Sequence, residues 1–420
     1  MNKIKFTKLF GRFNYEIELK EGITIITGPN GYGKSTILRC IEAIQKGIEG
    51  IIYLINLDFE KFEIFLDEND IITIKKDDAK LYIDRTAINI DEFYKKIIRL
   101  SYRFGPYLRH IDDEIFMDRR SGRTYEIKEL ISDKKILSYI LDSSIPIDEL
   151  FSTTFINKLK NIQARVGNIF LIKEQRLLLS EKEKSRLDDR IINFIDELPE
   201  KLKKQIGKTS EEYSKIAYQY DSTYPYRLFN EKNGIDRHEY EDKMKEIKEK
   251  FNKLKEYDIS EGINNKKLEF KQEFSTALKV YVDDFNNKYK VYEELINKLD
   301  LYISIINSRL TFKKIKISRD TGIEVINDEQ KLLKLSDLSS GEQQEIVLFY
   351  KLIFEAPNES LLLIDEPEIS LHIVWQKIFM NDLQKVVDLK KLNVIVATHS
   401  PQIINNYWDK QIDLGELYVN

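Results

Sequence analysis

Apolar and polar positions alternate at the start of the chain. Ile4 and Phe6, then Tyr15, Ile17 and Leu19, fall at every second position, which predicts an antiparallel pair of strands with one buried face. Ile23 to Thr27 (ITIIT) abandons the alternation for an unbroken β-branched run, fit for a strand buried on both faces. After a glycine cluster, Ile37, Leu38, Ile41 and Ile44 recur at helical spacing and predict one helix over Ser35 to Gln45. FEIFL, IITIKK and KLYID read as further short strands around that helix, residues 91–159 as mixed and mostly helical, and Asn168 to Lys173 as another buried strand.

The pattern changes between residues 181 and 310, where 53 of 130 residues are charged, 26 basic and 27 acidic. Leu187, Ile191, Ile195, Leu198, Leu202 and Ile206 step by three and four, as do Met244, Ile247, Phe251 and Leu254, and Tyr292, Leu295, Leu299 and Tyr302. Narrow apolar seams between faces of mixed charge fit antiparallel helical arms and fit an ordinary helical bundle equally well. Pro199 is expected to interrupt the first of these helices, and Pro225 to turn the chain. Strands then return in LTFKKIKIS and GIEVIN. A helix over Ser339 to Phe354, the strand LLLIDEP, a second helix and the strand VIVATHS follow. Strand and helix in alternation predict an α/β fold with a parallel sheet covered on both faces.

Composition narrows the class. The chain has 420 residues, more than one core usually serves, so one composite domain or two to three smaller ones are expected. No window approaches eighteen uninterrupted apolar residues, and the amino terminus lacks a signal-peptide core, so a cytoplasmic protein that does not enter the membrane is expected. Cys40 is the single cysteine, which excludes an intrachain disulfide, and no His/Cys cluster has metal-ligand spacing. With 67 basic and 71 acidic residues, bulk charge gives no sign of a nucleic-acid binder.

Glycine is scarce, 16 in all, yet Gly28, Gly31 and Gly33 crowd into six positions. There GPNGYGKST (Gly28 to Thr36) matches the phosphate-binding pattern G-x-x-x-x-G-K-[ST], after a buried strand and before a helix. Amides of Asn30, Gly31, Gly33 and Thr36 would face phosphate oxygens, Lys34 would reach the β- and γ-phosphates, and Ser35 would ligate Mg²⁺. LLLIDEP ends in two carboxylates, Asp365 for Mg²⁺ and Glu366 to polarise water. His399, after the strand VIVA, would sit at the carboxyl edge of the same sheet, in reach of a γ-phosphate; His372 is a further histidine near that edge. LSDLSSGEQQE (Leu335 to Glu345) opens a helix, and by itself reads as a simple cap by Ser339 or Ser340 beside Glu342.

Together these motifs resemble the ABC-type ATPase heads of the SMC, RecF and OLD-like group, over residues 1–176 and 311–410. The resemblance implies an α/β ABC-type P-loop head, a mixed sheet with flanking helices, interrupted by a short coiled-coil-like insertion. Its lobes would span 1–176 and 311–420, around a helical insertion at 177–310. It also implies that LSSGE is the ABC signature, whose Ser339 and Gly341 contact the γ-phosphate held by a second subunit, although Ser340 stands where the family usually has glycine. Gln175, in IKEQRL, resembles the Q-loop glutamine that links Mg²⁺ and γ-phosphate to the insertion. Arg12 resembles a basic residue near the nucleotide, and Ser370 to His372 hold the D-loop position.

The run DEPEISLH…WQ followed by ATHSPQII looks most like the OLD-like ATPases of phage defence. Full OLD nucleases add a Toprim nuclease domain, whereas this chain ends at Asn420, shortly after that motif. The resemblance is therefore to stand-alone ATPase subunits such as those of PARIS and Septu systems. It implies ATP and Mg²⁺, a homodimer or higher oligomer through ATP-sandwiched heads, a separately encoded nuclease or Toprim-like effector, and a phage-protein trigger. Two other readings stay open: a DNA-repair or chromosome ATPase that clamps DNA, and a nucleotide-dependent scaffold that does not hydrolyse.

Overall fold

The computed structural model describes residues 1–101, 108–112, 115–119, 122–126, 129, 150–173, 193–260, 269–369 and 371–418. They form two compact units, Met1–Gln175 with Ala356–Asn420, and Arg176–Glu355.

The first unit opens with β1 (Lys3–Leu9) and β2 (Phe13–Glu18), paired antiparallel with Ile4 opposite Ile17 and Phe6 opposite Tyr15, as the alternation requires. Every residue of β3 (Ile23–Thr27) is buried. It leads into α1 (Lys34–Gln45), whose Ile37, Leu38, Ile41 and Ile44 face the core. A second helix, α2 (Ile48–Asn56), was not anticipated. It crosses α1 so closely that a Cβ on Gly50 would lie 1.7 Å from the Ala43 carbonyl oxygen, a contact that only glycine permits. Strands β4 (Lys61–Phe65), β5 (Ile71–Lys76), β6 (Lys80–Ile83) and β7 (Thr86–Asn89) complete a six-stranded antiparallel sheet in the order β2-β1-β4-β5-β6-β7. After α3 (Ile90–Ser101), the stretch read as mostly helical holds a small antiparallel sheet of β8 (Leu108–Asp112), β9 (Ile115–Asp118) and β10 (Thr124–Glu126). Then come α4 (Thr153–Val166), capped by the Ser152 hydroxyl, and β11 (Ile169–Ile172).

The second unit is built on three helices: α5 (Phe194–Asn230), α6 (Arg237–Glu256) and α7 (Ser275–Asn307). Both prolines lie inside α5, so the expected interruption at Pro199 and turn at Pro225 are wrong. A proline removes one backbone hydrogen bond and kinks a helix more readily than it ends one, provided neighbours hold the chain. Here Leu198 and Leu202 flank Pro199 in the core, while Arg227 bonds back to the Tyr220 carbonyl and ion-pairs with Asp284 of α7. At 37 residues, α5 extends about 55 Å. It runs antiparallel to α7 (Asp221 to Lys288, Tyr213 to Tyr292), whereas α6 runs parallel to α7 (Ile235 to Ser275, Lys253 to Asp300). Strands β12 (Lys313–Ser318), β13 (Gly322–Asn327) and β14 (Leu332–Leu333) form a three-stranded sheet, and α8 (Ser340–Tyr350) continues into a π-turn over Lys351–Glu355.

The chain then returns to the first unit with β15 (Leu361–Asp365), α9 (Ile373–Lys390), β16 (Asn393–Ala397), α10 (Pro401–Ile404), β17 (Gln411–Asp413) and α11 (Leu414–Leu417). The result is a five-stranded, wholly parallel sheet ordered β11-β15-β16-β3-β17. The fold is thus α/β, with a helical insertion between the two stretches of the first unit.

Candidate functional site

The parallel pairing sets the site. Asp365 ends β15 directly opposite Ala397 at the end of β16, and β3 lies on the other side of β16, so three strand ends deliver Asp365, Thr398 and the Gly28–Thr36 loop to one edge. Carboxyl edges of parallel sheets are where open α/β folds bind ligands.

Gly28, Gly31 and Gly33 all have positive φ. Gly33 is the N-cap of α1 at φ 90°, and a Cβ there would press on Leu9 and Phe10, 3.1 and 3.2 Å away. No side chain caps α1 and no acidic residue lies in its first turn, so its free amides and positive dipole end face the loop. Arg12 is exposed in the β1–β2 turn, its guanidinium 4.5 Å from the Phe13 ring, which in turn contacts Tyr32 of the loop. Asn30 and Gly31 are exposed at the tip, and the Thr36 hydroxyl meets Tyr53 of α2.

Lys34 is almost wholly buried. Its amine donates to the carbonyls of Gly28 (2.9 Å) and Pro29 (3.2 Å) and lies 3.3 Å from Nδ1 of His399. An ammonium can only donate, so Nδ1 is an acceptor and the ring proton sits on Nε2, 3.3 Å from Oε1 of Glu366. Burial, and then the Lys34 charge, hold His399 below its ordinary pKa, which keeps the ring neutral. Burial also lowers the Lys34 pKa, against the opposing pull of Glu366 and Asp365. Ser35 donates from Oγ to Oδ1 of the buried Asp365 at 2.8 Å.

Glu366 sits at φ +47°, a left-handed conformation that costs a non-glycine residue about 1–2 kcal/mol. Its amide donates to the Ala397 carbonyl, which holds the strained turn against β16. Burial first, then the hydrogen bond and charge of Glu368, push its carboxyl up to about 8. Strain and a displaced pKa on one residue in a cleft are marks of a functional group.

Lys34, Ser35, Asp365, Glu366 and His399 are therefore together. Ser339 and Gly341 belong to the second unit. Ser339 is the N-cap of α8 in a capping box: Glu342 accepts from its amide and hydroxyl, and Lys313 pairs with Glu342 at 2.8 Å. Gln175 and Ser370 lie outside the described residues. His372 is an exposed N-cap of α9, accepting from the Val374 amide.

Sequence reasoning passed over four neighbours. Glu368 and Gln376 hold the backbone around His399, and Gln411 and Asp413 bond to Thr27 at the end of β3. These last two help line a cavity of about 440 Å³ beside Gly28, Pro29 and His399. Glu368 was in view as the third carboxylate of DEPE, but only the fold brings it to residue 399.

Among curated proteins, the chain is 24% identical over 421 residues to the spermidine/putrescine import ATP-binding protein PotA of Mycoplasma genitalium, covering 92% of this chain and 68% of that one. It is 28% identical over 152 residues to the Retron Ec83 probable ATPase of Escherichia coli, and 26% over 154 to protein ea59 of Escherichia phage lambda, spanning 27% and 28% of their lengths. Among solved structures it aligns with the Smc head domain of Pyrococcus furiosus (15% identity, TM-score 0.37, 96% of this chain and 91% of that one). It also aligns with the SMC head domain of Thermotoga maritima (14%, TM-score 0.32, 96% and 90%). Among the described residues no helix is long and apolar enough to cross a membrane. The model of the AAA ATPase domain family (AAA_15) matches residues 8–404, nearly the whole chain and both halves of the site described above; the chain belongs to that family.

Proposed function

We propose that this protein binds ATP with Mg²⁺, hydrolyses it in a site completed by a second copy of the chain, and uses that cycle to hold or release a separately encoded toxic effector in antiviral defence. The observation that carries the hydrolysis reading is the convergence of Lys34, Ser35, Asp365, Glu366 and His399 at one sheet edge.

Loop amides from Asn30 to Thr36 and the uncapped start of α1 receive the phosphates. Lys34 exchanges its two carbonyl partners for β- and γ-phosphate oxygens. The converging oxygens of Ser35 and Asp365 fit Mg²⁺, which takes one or two protein ligands and completes its shell with phosphate and water. Bound there, Mg²⁺ offsets the charge of the phosphates. Glu366 polarises the attacking water, and the Nε2–H of His399 is placed to hold the γ-phosphate. On the same reading Arg12 lies near the nucleotide, and Gln175 takes the part of the Q-loop glutamine. Ser339 and Gly341 at the exposed start of α8 complete the site of a partner, because each chain carries one copy of each motif.

The likeness to a retron's probable ATPase supports the defence setting, as does the run DEPEISLH…ATHSPQ. A tagged pull-down from the native host before and after phage infection tests it. A stoichiometric effector that leaves on infection is expected; recovery of duplex DNA or recombination proteins alone would overturn it.

A further inference from the structure

Residues 398–400 direct three successive donors at one oxygen atom. The Thr398 hydroxyl (2.7 Å), the His399 amide (2.7 Å) and the Ser400 amide (3.1 Å) all donate to Oε1 of Glu368. From the other side, Gln376 of α9 accepts from the Ser400 hydroxyl at 2.7 Å and donates to the Leu371 carbonyl at 3.0 Å. The backbone on both sides of His399 is thereby tied to the turn that follows β15. That turn begins at the left-handed Glu366, is closed by the Ile369 amide on the Glu366 carbonyl, and reaches Glu368 two residues later. One short turn thus presents two carboxyl groups that also contact each other: Glu366 meets the ring of His399, and Glu368 its backbone.

We infer that Glu368 is a positioning residue for the proposed hydrolysis, fixing the His399 backbone so that the ring stays between Lys34 and Glu366. This rests on the reading of His399 given under Proposed function. A ring with three staggered choices at its first side-chain torsion needs its backbone fixed before one of them can be selected. The chemistry needs that selection, because a misplacement of about 1 Å costs a reaction about a hundredfold.

Two measurements on the full chain test it. In a double-mutant cycle, Glu368→Ala should lower kcat about a hundredfold with ATP affinity unchanged. Added to His399→Ala it should cost far less than it does alone, because most of its effect passes through the group it positions and only its hydrogen bond and charge on Glu366 remain. Glu368→Gln, whose amide oxygen can accept the same bonds, should restore turnover to near the parent rate. Losses that multiply, or a Gln variant as slow as the Ala variant, would overturn the assignment. The second measurement is hydrogen exchange of the His399 and Ser400 amides without nucleotide, which should quicken in Glu368→Ala and not in Glu368→Gln; equal protection in all three proteins would overturn it. If the parent chain does not hydrolyse ATP, the hydrolysis reading fails while exchange still decides the clamp.

Discussion

The sheet edge of the first unit and the helices of the second handle charge in opposite ways. At the edge, Lys34 and Asp365 are buried, Lys34 and Glu366 shift each other's proton affinities, and the Lys34 charge lowers that of His399. Along the helices charges pair at the surface, as in Lys253–Asp300 and Arg237–Glu241. Buried charges that perturb each other are costly to fold and persist where chemistry needs them. Exposed pairs keep a long scaffold in solution and contribute little each. Arg309–Glu345 sits between these cases: a pair at 3.3 Å, almost fully buried inside the helical unit, with the guanidinium stacked on Phe349.

The largest effect should come at the edge. Glu366→Gln should lower ATP turnover about a hundredfold to ten-thousandfold while leaving ATP binding intact, and Lys34→Ala should lose binding itself, read by nucleotide titration. Undiminished turnover in the Gln variant would erase the contrast between the two regions. Next comes Arg309→Met, which removes the ion-pair partner of a buried carboxylate and should cost about 3–5 kcal/mol in denaturant unfolding; adding Glu345→Leu should recover most of that. A full loss in the double variant would mean that the pair does more than balance charge.

A smaller effect concerns pH. The folded-state value for Glu366, about 8, lies above its ordinary 4.5, so the folded chain retains a proton that the unfolded chain releases. Stability should therefore fall as pH rises between those values, and Glu366→Gln should flatten the decline in nucleotide-free thermal melts from pH 5 to 8. The smallest effect is Arg237→Ala, where the exposed i,i+4 pair with Glu241 should be worth no more than about 0.5 kcal/mol.

What could be read from the chain follows the same division. The β3 run, the glycine loop and LLLIDEP each carry a local requirement, so Lys34, Ser35, Asp365 and Glu366 could be singled out before the fold was known. The fully buried β3 and β15 match the β-branched run ITIIT and the apolar run LLLI that precedes Asp365. Helix α2 is short and starts at Gly47 with Gly50 inside it, a poor helix former that local propensity does not favour but that close packing on Ala43 requires. Pro199 and Pro225 misled because local propensity yields to neighbours such as Leu202 and the Arg227–Asp284 pair. Glu368 and Gln376 could not be assigned, because their partners lie 24 to 32 residues away and meet them only through the pairing of β15 with β16.

The position of β3 also sets an order of assembly. Its neighbours in the sheet, β16 and β17, are contributed by residues 393–397 and 411–413, more than 360 positions later in synthesis. While the ribosome makes the intervening chain, the strand that carries the glycine loop has neither partner. Closing such distant pairings is slow and leaves an apolar strand open to misassembly in the meantime. The phosphate loop, among the first segments made, is thus among the last to acquire its shape. Nucleotide added to a refolding chain should accelerate nothing until the final strands have docked.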